Sequence, residues 1–210
     1  MVFAQMVKTE NRMNNNIIKI FLAAVIIVLG LLIFRSINKP VKFDNNLQTR
    51  GDAIVSKLKD IRTAQNLFRN QYGHYTASFD SLKTFVKIGK IPEVKIIPDP
   101  GDTTFTRTIS DTIGYISIYD SIFSKKNYLL EKLNEVPFSE GDLFSMMAGK
   151  INKGGVDIAV FEVSVRMEVY TKDLDKQLVI NRIKELEDKT KFPGLKVGSM
   201  TDASTDGNWE

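Results

Sequence analysis

The first strong pattern in the chain is a run from Ile17 to Phe34 that is apolar except for Lys19 near its start. As a helix at about 1.5 Å per residue, the run would extend about 27 Å, close to the roughly 30 Å hydrocarbon core of a bilayer. Lys19 and Arg35 lie near its two ends, where long side chains reach the lipid headgroups. We therefore predict a transmembrane helix over residues 17–37, preceded by a short polar leader over residues 1–16.

The residues that flank this run bear on whether the helix is retained. No small-x-small cleavage pattern follows the run, so we expect the helix to stay in the protein instead of being removed as a signal peptide. Basic residues lie on both sides of the run, so the positive-inside rule does not fix the orientation. We favour the leader inside and the C-terminal region outside.

A second helical pattern follows Pro40, which we expect to break the first helix within a linker over residues 38–43. Asp44 is a good N-cap residue and Gly73 a good C-terminal cap, so the pattern predicts a helix over residues 44–72. Its apolar seam should pack on a core and consists of Leu47, Gly51, Ile54, Leu58, Ile61, Gln65, Phe68 and Tyr72. The opposite face should lie in solvent and consists of Lys57, Lys59, Asp60, Arg62 and Arg69.

The remainder of the chain predicts the rest of an α+β domain over residues 44–210. In chain order we expect a helix at 78–88 capped by Ser78, a loop at 91–112, an extended segment at 113–118, a helical turn at 128–134, strands at 143–151 and 157–169, a helix at 174–189 and a last strand at 195–200. Asn152, Gly154 and Gly155 suit the positive φ angles of a tight turn between the two long strands. The order predicts a long amphipathic helix packed on a small antiparallel β-sheet.

Charge and cysteine content exclude several classes of function. The net charge is +4, but residues 1–38 hold four basic and one acidic side chain, so that segment contributes +3 and the rest of the chain only +1. No basic stripe points to a nucleic-acid partner. The absence of cysteine excludes disulfides, a thiolate metal site, a cysteine nucleophile and a lipoprotein anchor.

Catalytic chemistry has little support in the sequence. His74 is the only histidine. No pair of histidines can therefore ligate a metal, and no second histidine is available as the base of a catalytic triad. Asp99, Asp102 and Asp111 offer oxygen ligands, but the Asp-x-Asp-x-Asp spacing of a calcium loop is missing, which favours a solvated turn. We predict that the protein is not an enzyme and has no catalytic, cofactor-binding or metal-binding residues.

A resemblance to a known family emerges from the amphipathic helix and the turn that follows it. The helix contains Ala64 and leads into Tyr72-Gly73-His74-Tyr75, and a Ser-x-x-x-Leu segment follows from Ser78 to Leu82. This arrangement resembles type IV pilins and type II secretion pseudopilins, in which a similar helix and Gly-x-Tyr turn precede an antiparallel sheet. The resemblance covers roughly residues 17–88 and implies a membrane-anchored, pilin-like domain.

The whole chain also resembles a group of small single-pass envelope proteins of Bacteroidota, through Pro193 to Ser199 and Gly207 to Glu210. These resemblances imply a bacterial inner (cytoplasmic) membrane location with the C-terminal domain in the periplasm. The partners implied are the lipid bilayer, through Ile17 to Phe34, and other envelope proteins or further copies of the chain. The predicted function is a membrane-anchored structural or interaction protein of the cell envelope. The alternative is a membrane-tethered extracytoplasmic ligand-binding or sensing module.

Overall fold

The computed structural model describes residues 15–98, 108–126 and 128–210. The helices are α1 (Asn15–Tyr72), α2 (Phe79–Ile88), α3 (Ile118–Ile122), α4 (Met167–Tyr170) and α5 (Lys176–Asp188), with a 3-10 turn at Leu130–Lys132. The strands are β1 (Lys90–Pro98), β2 (Thr108–Ser117), β3 (Ser145–Lys153), β4 (Val156–Arg166) and β5 (Gly194–Gly198). The predicted α+β class is confirmed. The chain divides into two compact units, one ending at Asn45 and the other beginning at Asn46.

The first unit contains the apolar part of α1. The most apolar 18-residue window of this helix has a mean hydropathy of 3.1, and none of that window is buried within the protein. Every side chain from Ile17 to Ile37 is exposed. The helix is therefore long and apolar enough to cross a membrane, as the sequence predicts.

Helix α1 continues through Pro40, so the predicted break and the predicted linker over residues 38–43 are wrong. Asp44 consequently lies inside the helix instead of capping it. An interior proline removes one backbone hydrogen bond and crowds one turn, a penalty of about 3 kcal/mol. This penalty affects one turn only. The residues before and after Pro40 both have a long helical pattern, so the helix continues through the proline. The predicted C-terminal end is confirmed, because Gly73 has a φ of 76° and its N–H donates to the Arg69 carbonyl at 2.7 Å.

The second unit is built on the predicted seam of α1. Ile54, Leu58 and Ile61 are completely buried, whereas Tyr72 at the end of the seam is 52% exposed. Gln65 is also completely buried; its amide nitrogen donates to the Thr76 carbonyl at 2.6 Å, and its amide oxygen accepts from the Thr76 N–H at 3.1 Å. This reciprocal pair fixes the turn after α1 against the helix.

The larger sheet has the antiparallel order β3-β4-β5, so β4 is its central strand. Phe161 and Val163 of β4 and Val197 of β5 are completely buried. The ring of Tyr75, from the turn after α1, lies 4.6 Å from the ring of Phe161. The predicted packing of a long helix on a small antiparallel sheet is thus observed. The last predicted strand lies at β5, whereas residues 167–169, predicted as strand, belong to the short helix α4.

The predicted loop over residues 91–112 is wrong in its described part. Residues 90–98 and 108–117 form the antiparallel hairpin β1–β2, and residues 99–107 lie outside the described residues. Proline suggested a loop, but a strand tolerates proline at its ends and on an open edge, where no ladder hydrogen bond is lost. The predicted extended segment is largely confirmed as the end of β2, with Ile118 starting α3.

The turn between β3 and β4 is the tight hairpin that the sequence predicts. Gly154 and Gly155 have φ angles of 63° and 82°. The side-chain oxygen of Asn152 accepts from the Gly155 N–H at 3.2 Å, and its amide nitrogen donates to Asp157 Oδ1 at 2.8 Å. These glycines join two strands, so they do not form the strand-to-helix junction that binds phosphate.

We expect a Gly154→Val and Gly155→Val double substitution to lower the melting temperature, because β-branched residues resist positive φ by about 1–2 kcal/mol each. Lys153→Val, at a neighbouring position with ordinary φ, is the matched control and should melt near the parent temperature. Differential scanning calorimetry measures both. ATP or GTP at millimolar concentration should leave the parent unchanged. An upward shift abolished by the double substitution would contradict the architectural role of this turn.

Candidate interaction surface

The hairpin β1–β2 exposes more apolar surface than any other described element of the second unit. Its strands pair from Lys90 opposite Ser117 to Pro98 opposite Thr108, with a bulge after Glu93. The exposed apolar side chains are Val94 (45%), Ile96 (68%), Ile113 (58%), Tyr115 (70%) and Ile116 (44%). A two-stranded sheet is marginally stable alone, and contiguous exposed apolar side chains mark interaction surfaces. We take this hairpin as the candidate interaction surface.

One face of the hairpin carries most of this apolar area. Side chains alternate between faces along a strand, so Pro92, Val94 and Ile96 share a face with Tyr115, the register partner of Pro92. The other face carries charged side chains, including Glu93 and Lys95. This surface is not among the features that the sequence predicts, although the alternation from Val94 to Ile96 between two prolines is typical of an edge strand.

A buried polar cluster lies on the face of α1 that the sequence predicts to be solvated. Lys57 and Asp60 are each only 7% exposed, so the prediction is wrong for these two residues. The Lys57 ammonium donates to the carbonyls of Lys132 and Glu135 at 2.6 and 2.7 Å and lies 4.8 Å from the Tyr128 ring centre. Burial lowers the pKa of Lys57 below its ordinary value.

Asp60 completes this cluster. One of its oxygens accepts from the Tyr128 hydroxyl at 2.6 Å, and the other lies 2.8 Å from Lys126 Nζ. Burial, and then the hydrogen bond to Asp60, raises the pKa of Tyr128. Lys57, Asp60 and Tyr128 each have a polar partner, which indicates that the cluster holds Lys126 and residues 128–136 on α1.

The other residues of the predicted solvated face differ among themselves. Lys59 and Arg69 are exposed, as predicted. Arg62 is partly buried and donates to Glu210 Oε1 at 2.8 Å and to the Thr205 carbonyl at 3.3 Å. The C-terminal segment therefore covers part of this face.

Arg50 forms the most extensive surface ion pair of the described chain. Its guanidinium donates to both carboxylate oxygens of Asp173, at 2.5 and 2.7 Å, and to the Tyr170 carbonyl at 2.8 Å. It also lies 5.3 Å from the Phe138 ring centre. The hydrogen bond from Arg50 lowers the pKa of Asp173 to about 2. Arg50 thereby ties α1 to the segment between α4 and α5.

The Asp173 shift predicts a pH-dependent contribution to stability. Because the pKa falls from 3.8 to about 2 on folding, the contribution is complete above pH 3.8 and is lost as the pH falls through about 2. We expect Asp173→Asn to melt below the parent at neutral pH and to converge with it near pH 2. Asp52→Asn, at an exposed position of α1, is the control and should change the curve little. Parallel parent and Asp173→Asn curves across this range would contradict the assignment.

Of the remaining candidate residues, only His74 has a described side chain. His74 lies in the turn after α1, with Nδ1 3.0 Å from the Tyr72 carbonyl. Asp99 and Asp102 lie outside the described residues, as does the side chain of Asp111. Over residues 15–98, 108–126 and 128–210, no group of three or more His, Cys, Asp or Glu residues could hold a metal ion.

A cavity of about 480 Å³ lies beside Gly51 in the second unit. Its apolar lining includes Met167, Tyr170, Leu186 and Phe192, and Lys191 and Lys196 contribute positive charge. Lys196 pairs with Glu162 at 3.1 Å. The cavity is open and mostly apolar, which makes it a candidate place for a small ligand.

We expect Gly51→Ala to stabilise the protein, because no atom lies within 4 Å of a Cβ built there. Alanine is preferred over glycine inside a helix by about 0.5–1 kcal/mol. Urea unfolding followed by circular dichroism measures the gain, and Ala53→Gly in the same helix is the reciprocal control, which should lose stability. A loss of stability in Gly51→Ala would show that the open space is required by the fold.

Comparison with protein-family models, with curated proteins and with solved structures finds no match to this chain.

Proposed function

We propose that this protein is a membrane-anchored structural or interaction protein of the bacterial cell envelope, with a pilin-like architecture. The observation that carries the proposal is helix α1 itself. Its residues 17–34 are apolar except for Lys19 and are all exposed, whereas Ile54, Leu58 and Ile61 of the same helix are completely buried in an α+β domain. A helix of this composition supports the role of an anchor for a domain whose own fold needs no lipid.

Membrane anchoring is tested by charge substitutions in the apolar run. Leu29→Arg places a guanidinium near the middle of the run, where insertion becomes less favourable by about 2.5–3.5 kcal/mol. Val41→Arg, at an exposed apolar residue outside the run, is the matched control. We expect the parent and Val41→Arg in the alkali-resistant membrane fraction, and Leu29→Arg at a reduced level there. N-terminal sequencing that finds a start between Asn38 and Asp44 in the soluble fraction would overturn the proposal.

The proposed location is the inner membrane, with the C-terminal domain in the periplasm. Reporter fusions that are active on only one side of the membrane test this orientation when joined after Glu210. Alkaline phosphatase activity with no fluorescence from a cytoplasm-dependent fluorescent protein is the expected result. The reverse pattern would place the domain in the cytoplasm and contradict an envelope role.

The proposed interaction role is supported by the exposed apolar face of the β1–β2 hairpin. We expect crosslinking of the full-length chain in native membranes to capture envelope proteins, and we expect the double substitution Val94→Asp and Ile96→Asp to remove those products. Leu129→Asp is the control, because Leu129 is similarly exposed, at 63%, and lies outside the hairpin. Products that persist in the hairpin variant would place the interaction elsewhere.

The alternative function is a membrane-tethered ligand-binding or sensing module, and the cavity beside Gly51 favours it. Under this alternative, detergent-extracted protein is strictly monomeric by light scattering and is stabilised by a small amphipathic anion, because the cavity combines apolar walls with lysines. Gly51→Leu would fill the space and abolish that stabilisation. A self-associating protein whose melting temperature no such compound raises would support the structural role instead.

A further inference from the structure

The outer edge of β1 presents backbone groups that have no strand partner in the described part of the chain, where its sheet consists of β1 and β2. The Gly89 carbonyl accepts from the Ile118 N–H at 3.0 Å, which indicates that odd-numbered positions along β1 direct their backbone groups toward β2. The bulge after Glu93 has its extra residue, Ile113, on β2, so this alternation continues along β1. Even-numbered positions then direct their groups to the open edge. These positions include Pro92, Val94 and Ile96.

Side chains along this edge alternate between an apolar face and a charged face. Pro92, Val94 and Ile96 are exposed on the apolar face. Glu93 and Lys95 are exposed on the other face, with opposite charges two residues apart. Between Pro92 and Ile96 the edge therefore carries one charge of each sign, placed symmetrically about Val94, and the further charge of Lys90 lies at the start of the strand.

Among twofold axes at Glu93, Val94 and Lys95, the two charges select one register for the pairing of two identical edges. An antiparallel pair with a twofold axis at Glu93 would place that carboxylate beside its own copy, and an axis at Lys95 would do the same with two ammonium groups. Like charges directly opposite destabilise a strand pair. An axis at Val94 instead places Glu93 of each copy beside Lys95 of the other, and brings Pro92 beside Ile96.

The prolines set the length of such a ladder. Pro92 and Pro98 have no N–H, so the open edge donates mainly from Val94 and Ile96. With the axis at Val94, its N–H reaches the Val94 carbonyl of the second copy, and the Ile96 N–H reaches the Pro92 carbonyl, each reciprocally. A ladder this short is weak between free molecules but is favoured between chains held on one membrane, where effective concentration is high.

We propose that two copies of this chain pair through their β1 edges, antiparallel about Val94, and join two hairpins into one four-stranded sheet. A four-stranded sheet with matched apolar faces is more stable than an isolated hairpin. This pairing supplies a partner for the proposed interaction role, and the inference rests on that proposed role.

The absence of cysteine makes a clean crosslinking test possible. Opposed Cα atoms in a hydrogen-bonded antiparallel pair are about 5.5 Å apart, within disulfide reach. Full-length Val94→Cys in native membranes should therefore form a disulfide-linked dimer on mild oxidation. Leu129→Cys, at a similarly exposed residue outside the hairpin, should form little dimer. Equal dimer yields from these two variants, with unchanged melting temperatures, would overturn the proposal.

Charge reversal tests the register. In the Val94→Cys background, Glu93→Lys alone and Lys95→Glu alone should each reduce the dimer yield roughly tenfold, because like charges then face each other. Two differently tagged chains, one with each reversal, should regain the crosslink with one another, since every facing pair is again opposite in sign. Single reversals that crosslink like the parent would overturn the register and with it the proposal.

The outcomes also separate this inference from the proposed function. If Val94→Cys forms no dimer while the hairpin still captures other envelope proteins, the second copy is not the partner but the interaction role stands. If the chain leaves the membrane and captures nothing through the hairpin, the proposed function itself is wrong.

Discussion

Ile61→Asp should unfold most of the second unit or lower its melting temperature by tens of degrees. Ile61 lies in the middle of the seam of α1 and is completely buried. The substitution removes apolar packing and places a carboxylate where no water can solvate it, a penalty of several kcal/mol. A domain of this size is stable by only about 5–15 kcal/mol, so the loss is a large fraction of the total.

Lys59→Asp is the matched control for this substitution, because it introduces the same residue two positions away at an exposed site. We expect it to melt within a few degrees of the parent in circular dichroism at 222 nm. Ile61→Val should lie between the two, with a loss of about 1 kcal/mol. Similar melting of Ile61→Asp and the parent would mean that α1 does not pack on this core, and the pilin-like architecture would be wrong.

Lys57→Met should cost about 2–3 kcal/mol, the second largest expected effect. Methionine keeps most of the unbranched length of lysine but cannot donate to the Lys132 and Glu135 carbonyls, which the ammonium now contacts at 2.6 and 2.7 Å. The Lys132 carbonyl also accepts from the Glu135 N–H at 3.2 Å, so the main loss is at the Glu135 carbonyl. An unpaired buried carbonyl costs about 1–3 kcal/mol. Relief from burying a charge offsets part of this cost. Denaturant unfolding with fluorescence detection measures the result.

Lys125→Met provides the comparison for Lys57→Met. Lys57 and Lys125 both line an open cavity of about 530 Å³, but Lys125 is exposed, so its loss should change stability by less than about 0.5 kcal/mol. Equal effects of the two substitutions would show that the carbonyl contacts of Lys57 are not needed to hold the segment over α1. A stabilising Lys57→Met would show that burying the charge outweighs its hydrogen bonds.

The parts of the fold that the sequence predicts well are those set by local periodicity. The α1 seam, the Ser78 cap and the β3–β4 turn each depend on residues within a few positions of one another. Ser78 accepts from the Ser81 N–H at 3.3 Å, as a capping serine should. Such features survive folding because tertiary contacts reinforce the same local conformation.

The buried polar cluster is not predictable in this way. By helical periodicity alone, Lys57 and Asp60 lie on a solvated face. Their neighbours in sequence do not predict the contacts with Tyr128 and Lys126, which come from a distant part of the chain. Tyr128 and Lys126 come close to α1 only in the folded protein. Helical periodicity locates the strongest apolar seam but does not show how much of the opposite face is covered.

The candidate interaction surface is not predictable for a different reason. Pro92 and Pro98 favour a loop more strongly than the β-branched residues between them favour a strand, so the sequence predicts a loop. A proline on an open edge does not disrupt a two-stranded ladder, because its missing N–H would have pointed outward. The positions of the prolines relative to the edge, rather than their number, decide the structure here.

The central position of β4 determines how this protein should exchange its amide hydrogens with solvent. β4 is hydrogen-bonded on both sides, to β3 and β5, and Phe161 and Val163 are completely buried. Its amides should exchange only through global unfolding, whereas those of β1 and β2 should exchange through local opening of the hairpin. The exchange rates of Phe161 and Val163 would therefore report the total free energy of unfolding directly, under native conditions and without denaturant.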